Sequence, residues 1–116
     1  LIPGYGGTQR LPKLVGKGRA NEIIFSAKMI SAQRAKEIGL VNEVFSTEEL
    51  LAKTKELATT IAKNSPMAIS KAIVAVNKSD QQDGFETEIK SFGELFEMED
   101  KKEGVQAFLE KRKPLF

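Results

Sequence analysis

The sequence predicts a mainly α-helical fold with at most one or two short strands. Apolar residues recur at a helical period along most of the chain. Short clusters of Gly, Pro, Ser and Asn separate these periodic stretches, as turns between helices do. The chain has 116 residues, of which 41% are hydrophobic and 29% are charged. This composition is typical of one globular domain with a modest core.

The first two helices follow a glycine-rich turn. The turn covers residues 3–7, and the first helix begins at Thr8 and ends near Gly16. A second helix follows directly, because apolar residues recur there at helical spacing. These apolar residues are Ala20, Ile23, Ile24 and Ala27.

A third short helix is predicted over residues 32–38. Ser31 is placed to cap its N-terminus, and Gly39 can end it in the left-handed conformation. Residues 40–45 then alternate between apolar and polar side chains. This alternation predicts a short strand.

Two longer helices follow. Ser46 and Glu49 have the spacing of a capping box, which predicts a helix over residues 47–63. Pro66 suits the first position of the next helix, which should end near Ser79. We expect the apolar residues of both helices to point inward: Leu50, Leu57, Ala58, Ile61, Met67, Ile69, Ile73, Val74 and Val76.

The last two helices carry most of the aromatic residues. One helix has apolar residues at positions i, i+4, i+7 and i+11, namely Phe85, Ile89, Phe92 and Phe96. The final helix begins near Glu99, should end before Pro114, and places Val105, Phe108 and Leu109 on one side. Such stripes are more often core than a partner surface, so we expect core. The core is thin, however, which leaves burial against further chain or other subunits open.

The chain contains neither cysteine nor histidine. This excludes disulfides, thiolate zinc sites and every catalytic pair built on histidine. Acidic residues cluster at helix starts and in polar turns, where they suit solvated caps better than acid/base catalysis. Chemistry must therefore rest on carboxylates, lysine, backbone amides or atoms outside this chain.

The glycine-rich turn matches neither standard nucleotide motif. It lacks a Gly-Lys-Ser/Thr sequence at the phosphate-loop offset, and Gln9 stands where a dinucleotide fingerprint needs its third glycine. What remains is a turn that feeds a helix N-terminus, whose free backbone amides can bind an anion or orient a water molecule. A tight turn without any ligand is the simpler alternative.

The charge distribution is uneven along the chain. Residues 1–36 carry seven basic side chains and one acidic side chain, whereas residues 37–116 carry eleven basic and fifteen acidic ones. Solvated helix faces explain the basic part more simply than a polyanion partner does, and we expect no nucleic-acid binding. No apolar run approaches the ~20 residues of a membrane span, so we expect a soluble, cytoplasmic protein. The chain begins without methionine, and we interpret its start as a cut through a longer chain.

Several stretches are distinctive when taken together. They are residues 2–12 (IPGYGGTQRLP), 15–17 (VGK), 39–42 (GLVN) and 107–113 (AFLEKRK), with Ala32 and Ala35 between them. In this combination the chain resembles the crotonase superfamily, specifically the enoyl-CoA hydratases. The resemblance extends over all 116 residues but covers only the C-terminal part of a family member.

The resemblance implies the C-terminal helical segment of the crotonase fold, a ClpP/crotonase-like α/β spiral. Residues 1–45 would form the end of the crotonase core layer, and residues 46–116 a C-terminal helical oligomerisation domain. Subunits of the family form trimers and often hexamers through this helical part. A homotrimer or hexamer is therefore the expected assembly.

The resemblance also implies a site. In the family, two glutamates hold the water that adds to an enoyl thioester, and two backbone amides bind the thioester carbonyl. All four groups would precede Leu1, so the isolated chain is expected to be inactive. By resemblance, Gly4 contributes a backbone amide to the water, and the substrate-binding residues are Ile2, Pro3, Tyr5, Phe108 and Lys111. Phe108 suits the CoA adenine, and Lys111 suits a CoA phosphate.

The implied function is that of a parent enoyl-CoA hydratase that reversibly converts 2-enoyl-CoA into 3-hydroxyacyl-CoA in fatty-acid or related acyl-CoA metabolism. It implies no metal and no cofactor, because the CoA thioester is the substrate. Two alternatives stay open. One is another acyl-CoA enzyme of the superfamily, such as an isomerase or a dehalogenase, and the other is a helical assembly module without a ligand.

Overall fold

The computed structural model describes all 116 residues and contains seven α-helices and no β-strand. This confirms the mainly α-helical prediction. In chain order the helices are α1 (Gly7–Val15), α2 (Lys17–Ser26), α3 (Ala32–Glu37), α4 (Thr47–Ile61), α5 (Pro66–Asn77), α6 (Gly84–Phe96) and α7 (Glu99–Leu109).

The helix ends form where the local sequence signals lie. At the start of α3, Ser31 Oγ accepts a hydrogen bond from the Arg34 amide at 3.1 Å. The carbonyl of Ser46 accepts from the amides at the start of α4, and its Oγ accepts from the Glu49 amide at 3.2 Å. Each cap satisfies a backbone N–H that has no partner inside its helix. The predicted capping signals are therefore confirmed.

The predicted strand over residues 40–45 is wrong. These residues form bends followed by irregular chain, and they pair with no neighbouring strand. The amides of Leu40 and Val41 instead donate to the carbonyl of Ala35, at 2.8 and 3.4 Å. A strand is stabilised by a ladder of bonds to a second extended segment. No strand elsewhere in the chain offers one, so the alternating pattern has no partner here.

The chain divides into two compact units, Leu1–Lys53 and Thr54–Phe116. In the first unit α1 packs on α2, and Gly16 joins them with a φ of +81°. The core of this unit contains Val15, Ala20 and Ile38, with Leu11, Ile23 and Leu40 packed against it. The predicted boundary after residue 45 stays a prediction, because it concerns the core layer of the family fold.

In the second unit, α6 packs against α5 and makes a smaller contact with α7. Small and polar groups take part in this packing. Ser91 is the buried residue of α6, and an ion pair between Lys71 and Glu94 joins α5 to α6. The Ser65 hydroxyl donates to Asp100 at the start of α7.

The expectation that the apolar stripes form the core of this chain is wrong. Phe85 on α6 is 83% exposed and Phe92 is 65% exposed. Ser91 is the one buried residue of α6, and the aromatic stripe of this helix remains on the surface. The same is true of most predicted inward residues on α4, α5 and α7. The exposed ones are Leu50, Leu57, Ala58, Ile61, Met67, Ile73, Val74, Val76, Val105, Phe108 and Leu109.

Candidate functional site

The glycine-rich turn before α1 is held in an uncommon backbone conformation. Tyr5 and Gly6 both have positive φ, at +50° and +80°. The Gly7 amide donates to the Gly4 carbonyl at 3.0 Å, and Nη2 of Arg10 donates to the Tyr5 carbonyl at 2.6 Å. A positive φ is uncommon for a tyrosine. The bond from Arg10 therefore helps to hold a conformation that the sequence alone does not favour.

Gly4 is a glycine for which the chain itself gives no structural reason. A Cβ atom added there would meet no atom within 4 Å, and its φ is not in the left-handed region. Its carbonyl accepts a bond from Gly7, whereas its N–H donates none within the chain. The Gly4 N–H is therefore free to donate to a water molecule or a ligand, as the predicted role requires.

Ile2 and Pro3 border an open, mainly apolar groove of about 530 Å³ in the first unit. The groove is also lined by Leu11 of α1 and by Ile23 and Ile24 of α2. Such a groove suits an apolar chain, or apolar residues of a longer protein. Tyr5 is fully exposed and does not line the groove.

The other two predicted site residues lie at the end of α7. The Lys111 amide donates to the Phe108 carbonyl at 3.2 Å, and the Arg112 amide donates to the Ala107 carbonyl at 3.0 Å. These two bonds form a Schellman motif, with Lys111 in the left-handed conformation at a φ of +52°. Phe108 is 82% exposed. The structure thus brings an exposed aromatic ring and a lysine together on one helix end.

An ion-pair cluster surrounds this helix end. Arg112 forms a bidentate pair with Glu103, at 2.6 and 2.9 Å, and also pairs with Glu110 at 2.6 Å. The amide of Leu115 donates to Glu103 at 2.7 Å. The Arg112 guanidinium and then the Leu115 amide lower the pKa of Glu103 from 4.5 to about 2. Glu103 is therefore anionic across the physiological range.

The predicted site residues fall into two groups. Ile2, Pro3, Gly4 and Tyr5 lie in the first unit, and Phe108 and Lys111 lie in the second unit. Their functional roles stay predictions. Sequence analysis missed the anchoring roles of Arg10 and Arg112. The partner of Arg112 lies nine positions away, at a spacing that belongs to no local helical pattern.

Residues 1–116 match the family model described as enoyl-CoA hydratase/isomerase. The chain belongs to this family. Among its relatives, the short-chain-enoyl-CoA hydratase of Clostridium acetobutylicum is 46% identical over 118 residues, which cover 97% of this chain and 44% of that protein. The crotonyl-CoA hydratase of Syntrophomonas wolfei is 44% identical over 119 residues, which cover 100% of this chain and 46% of that protein.

Solved structures of the family give the same result. A crystal structure of enoyl-CoA hydratase from Bacillus anthracis superposes with a TM-score of 0.92 at 44% identity. The match covers all of this chain and 46% of that chain. The chain thus spans less than half the length of these three proteins, and its helices have the arrangement found in one segment of the crotonase fold.

Proposed function

We propose that this chain is the C-terminal half of an enoyl-CoA hydratase, which reversibly converts 2-enoyl-CoA into 3-hydroxyacyl-CoA. The family match over the full 116 residues is the observation on which this proposal rests. Relatives named as crotonyl-CoA and short-chain-enoyl-CoA hydratases support water addition as the reaction. The substrate class we propose is therefore an acyl-CoA thioester.

Water addition needs groups that lie in this chain and groups that lie outside it. A hydroxyl forms a bond to the β-carbon, a proton is added to the α-carbon, and the double bond is consumed. We propose that two glutamates ahead of Leu1 hold the water and move its proton, and that two backbone amides ahead of Leu1 stabilise the negative charge that develops on the thioester oxygen. The free amide of Gly4 helps to hold the water, and Ile2 and Pro3 contribute to the wall of the groove around the acyl group, which Tyr5 does not line. Water addition is redox-neutral, so we propose that no redox cofactor takes part, and the resemblance to the family implies no metal.

The end of α7 suits the nucleotide part of the CoA substrate. Phe108 offers an exposed ring on which the CoA adenine can stack, and Lys111 offers an ammonium to a CoA phosphate. Within the chain, Lys111 has no ion-pair partner, whereas its neighbours Glu110 and Arg112 pair with each other. The nucleotide of CoA is therefore the ligand we propose for this helix end.

We further propose that the whole protein is a cytoplasmic homotrimer or hexamer. The exposed apolar residues of α4, α5 and α6 support an assembled state, because surfaces of this kind are usually covered by protein. None of the seven helices combines the length and the apolar character that a membrane span requires.

The test uses the isolated chain and a chimera. In the chimera, all 116 residues replace the matching segment of the Clostridium acetobutylicum hydratase. We expect the isolated chain to leave crotonyl-CoA unchanged and the chimera to hydrate it. Hydration by the isolated chain would show that the acids ahead of Leu1 are not needed. A folded chimera that does not hydrate crotonyl-CoA would contradict the proposed function.

The alternative of an isomerase is separated by the sequence ahead of Leu1, because the groups that decide the reaction lie there. A glutamate at both family positions favours a hydratase, and the lack of either one favours an isomerase or another acyl-CoA enzyme. The alternative of an assembly module predicts that the isolated chain associates regardless of CoA.

A further inference from the structure

The turn after α7 is fixed on both sides of Lys111. On one side, the Lys111 amide is bonded to the Phe108 carbonyl. On the other side, Arg112 is tied to α7 twice, through its backbone amide to Ala107 and through its guanidinium to Glu103. A bidentate pair between a guanidinium and a carboxylate fixes orientation as well as distance.

Lys111 occupies a position that favours glycine. A φ of +52° crowds the Cβ atom of any other residue, and the residue found at this place in a Schellman motif is most often glycine. Residues held in such conformations cluster at ligand sites, where the surrounding contacts maintain them. The contacts that maintain Lys111 are those of Arg112 and Glu103.

The Glu103 carboxylate makes a second interaction that also holds the chain after Lys111 against α7. Glu103 accepts from the Leu115 amide and so holds the segment that follows Arg112. The ring of Phe116 lies 3.7 Å from the position that a Cβ atom on Gly104 would take, next to Glu103 on the helix. The chain on the far side of Lys111 therefore folds back along α7.

We propose that Glu103 and Arg112 are positioning residues, which hold Phe108 and Lys111 at a fixed separation for the adenine and a phosphate of CoA. This inference rests on the proposed function, because it concerns the same substrate. Neither residue touches the ligand in this account. They act through the backbone of the turn.

The test compares two substrates in the chimera described above. Crotonyl-CoA and crotonyl-pantetheine carry the same reacting double bond, but only crotonyl-CoA carries the nucleotide. We expect Glu103→Gln to raise KM for crotonyl-CoA about threefold to tenfold with little change in kcat, because uniform binding is lost. Its kinetics with crotonyl-pantetheine should stay unchanged.

The matched control is Glu99→Gln. It is the same substitution on the same helix, and it breaks an exposed ion pair with Lys102. We expect it to leave both substrates unaffected. An unchanged KM for crotonyl-CoA in Glu103→Gln would overturn the proposal, and so would an equal loss on both substrates, which a purely structural role produces.

Lys111→Gly provides a second variant, which leaves the ion pair between Glu103 and Arg112 in place. Glycine suits the left-handed conformation, so this variant should fold at least as well as the parent chimera. We expect its KM to rise for crotonyl-CoA alone, and an unchanged KM would overturn the proposal. If the unsubstituted chimera is inactive on both substrates, the proposed function itself fails. If it is active but indifferent to Glu103→Gln alone, only the positioning role fails. If it is active but indifferent to both variants, the nucleotide-binding role of the α7 end fails as well, and the hydratase activity stands.

Discussion

Gly4 and Gly6 lie two residues apart and are glycines for different reasons. Gly6 has a φ of +80°, where other residues are strained, whereas Gly4 has neither a positive φ nor a neighbour within 4 Å of an added Cβ. The fold therefore requires glycine at position 6 but not at position 4. The role proposed for the free amide of Gly4, beside a bound water, would account for a glycine there.

Substituting these two glycines separates function from stability. We expect Gly4→Ala to change the free energy of unfolding of the chain by less than about 0.5 kcal/mol. In the chimera it should slow hydration, because the added methyl group crowds the water at the Gly4 amide. Gly6→Ala should destabilise the chain by about 1 kcal/mol. Urea unfolding and initial rates measure the two effects, and full hydration activity in Gly4→Ala would argue against a role for its amide.

Glu103 predicts how stability depends on pH. Its pKa falls from 4.5 to about 2 in the folded chain, because Arg112 and the Leu115 amide favour the anion. The stabilisation is therefore present above about pH 4.5 and is lost as the pH falls towards 2. We expect the difference in Tm between the native chain and Glu103→Gln to be largest above pH 5 and to close by about pH 2. A difference that does not vary with pH would contradict this.

At the scale of elements, Gly84 at the start of α6 lies close to the backbone of Lys78, the residue that follows α5. A Cβ atom on Gly84 would lie 2.6 Å from the Lys78 carbonyl oxygen, a backbone atom that cannot move aside alone. An ion pair between Lys78 and Asp83 closes the same junction at 2.8 Å. The connection between the two helices therefore requires a residue without a Cβ atom at position 84.

A pair of alanine substitutions in α6 tests this junction. We expect Gly84→Ala to destabilise the chain by about 1–3 kcal/mol, because overpacking must displace the backbone. Gly93, in the middle of the same helix, has nothing within 4 Å of an added Cβ. Gly93→Ala should therefore stabilise the chain by about 0.5–1 kcal/mol. Chemical unfolding compares them, and equal effects from the two variants would show that the close approach at Gly84 is unimportant.

Elements could be predicted from the sequence wherever their causes are local. Ser31, Ser46 and Pro66 mark helix starts because each acts on backbone groups within three residues of itself. The strand at residues 40–45 was wrong because a strand depends on a distant partner. The pairing of Glu103 with Arg112 was missed for a similar reason, since it depends on how the chain turns after α7.

At the scale of the whole molecule, only five hydrophobic residues are buried, and none is a large side chain that is fully enclosed. The sequence predicted which residues share a helix face, but it could not show what covers that face. The helical period is the same for a face that packs within its own chain and for a face that packs against another chain. The same holds for the candidate site. Its glycine-rich turn was predicted from the local sequence, whereas the bonds that Arg10 and Arg112 make to hold the two turns were not.

The exposed stripe on α6 predicts self-association. Phe92 and Phe96 lie with ring centroids 5.7 Å apart on this surface. We expect the chain to sediment as an oligomer and Phe92→Ser to weaken the association, because apolar contact area is lost. Glu86→Ser, at an exposed polar position of the same helix, is the matched control and should have little effect. A chain that stays monomeric at every concentration would contradict this.

The central claim is that these 116 residues act as one half of a water-adding acyl-CoA enzyme. The most direct measurement is the initial rate of crotonyl-CoA hydration by the chimera, compared with the intact Clostridium acetobutylicum hydratase. We predict a rate within about tenfold of the intact enzyme, which corresponds to a barrier change of about 1.4 kcal/mol. A chimera that folds and melts cooperatively, yet adds no water above the uncatalysed rate, would contradict the account.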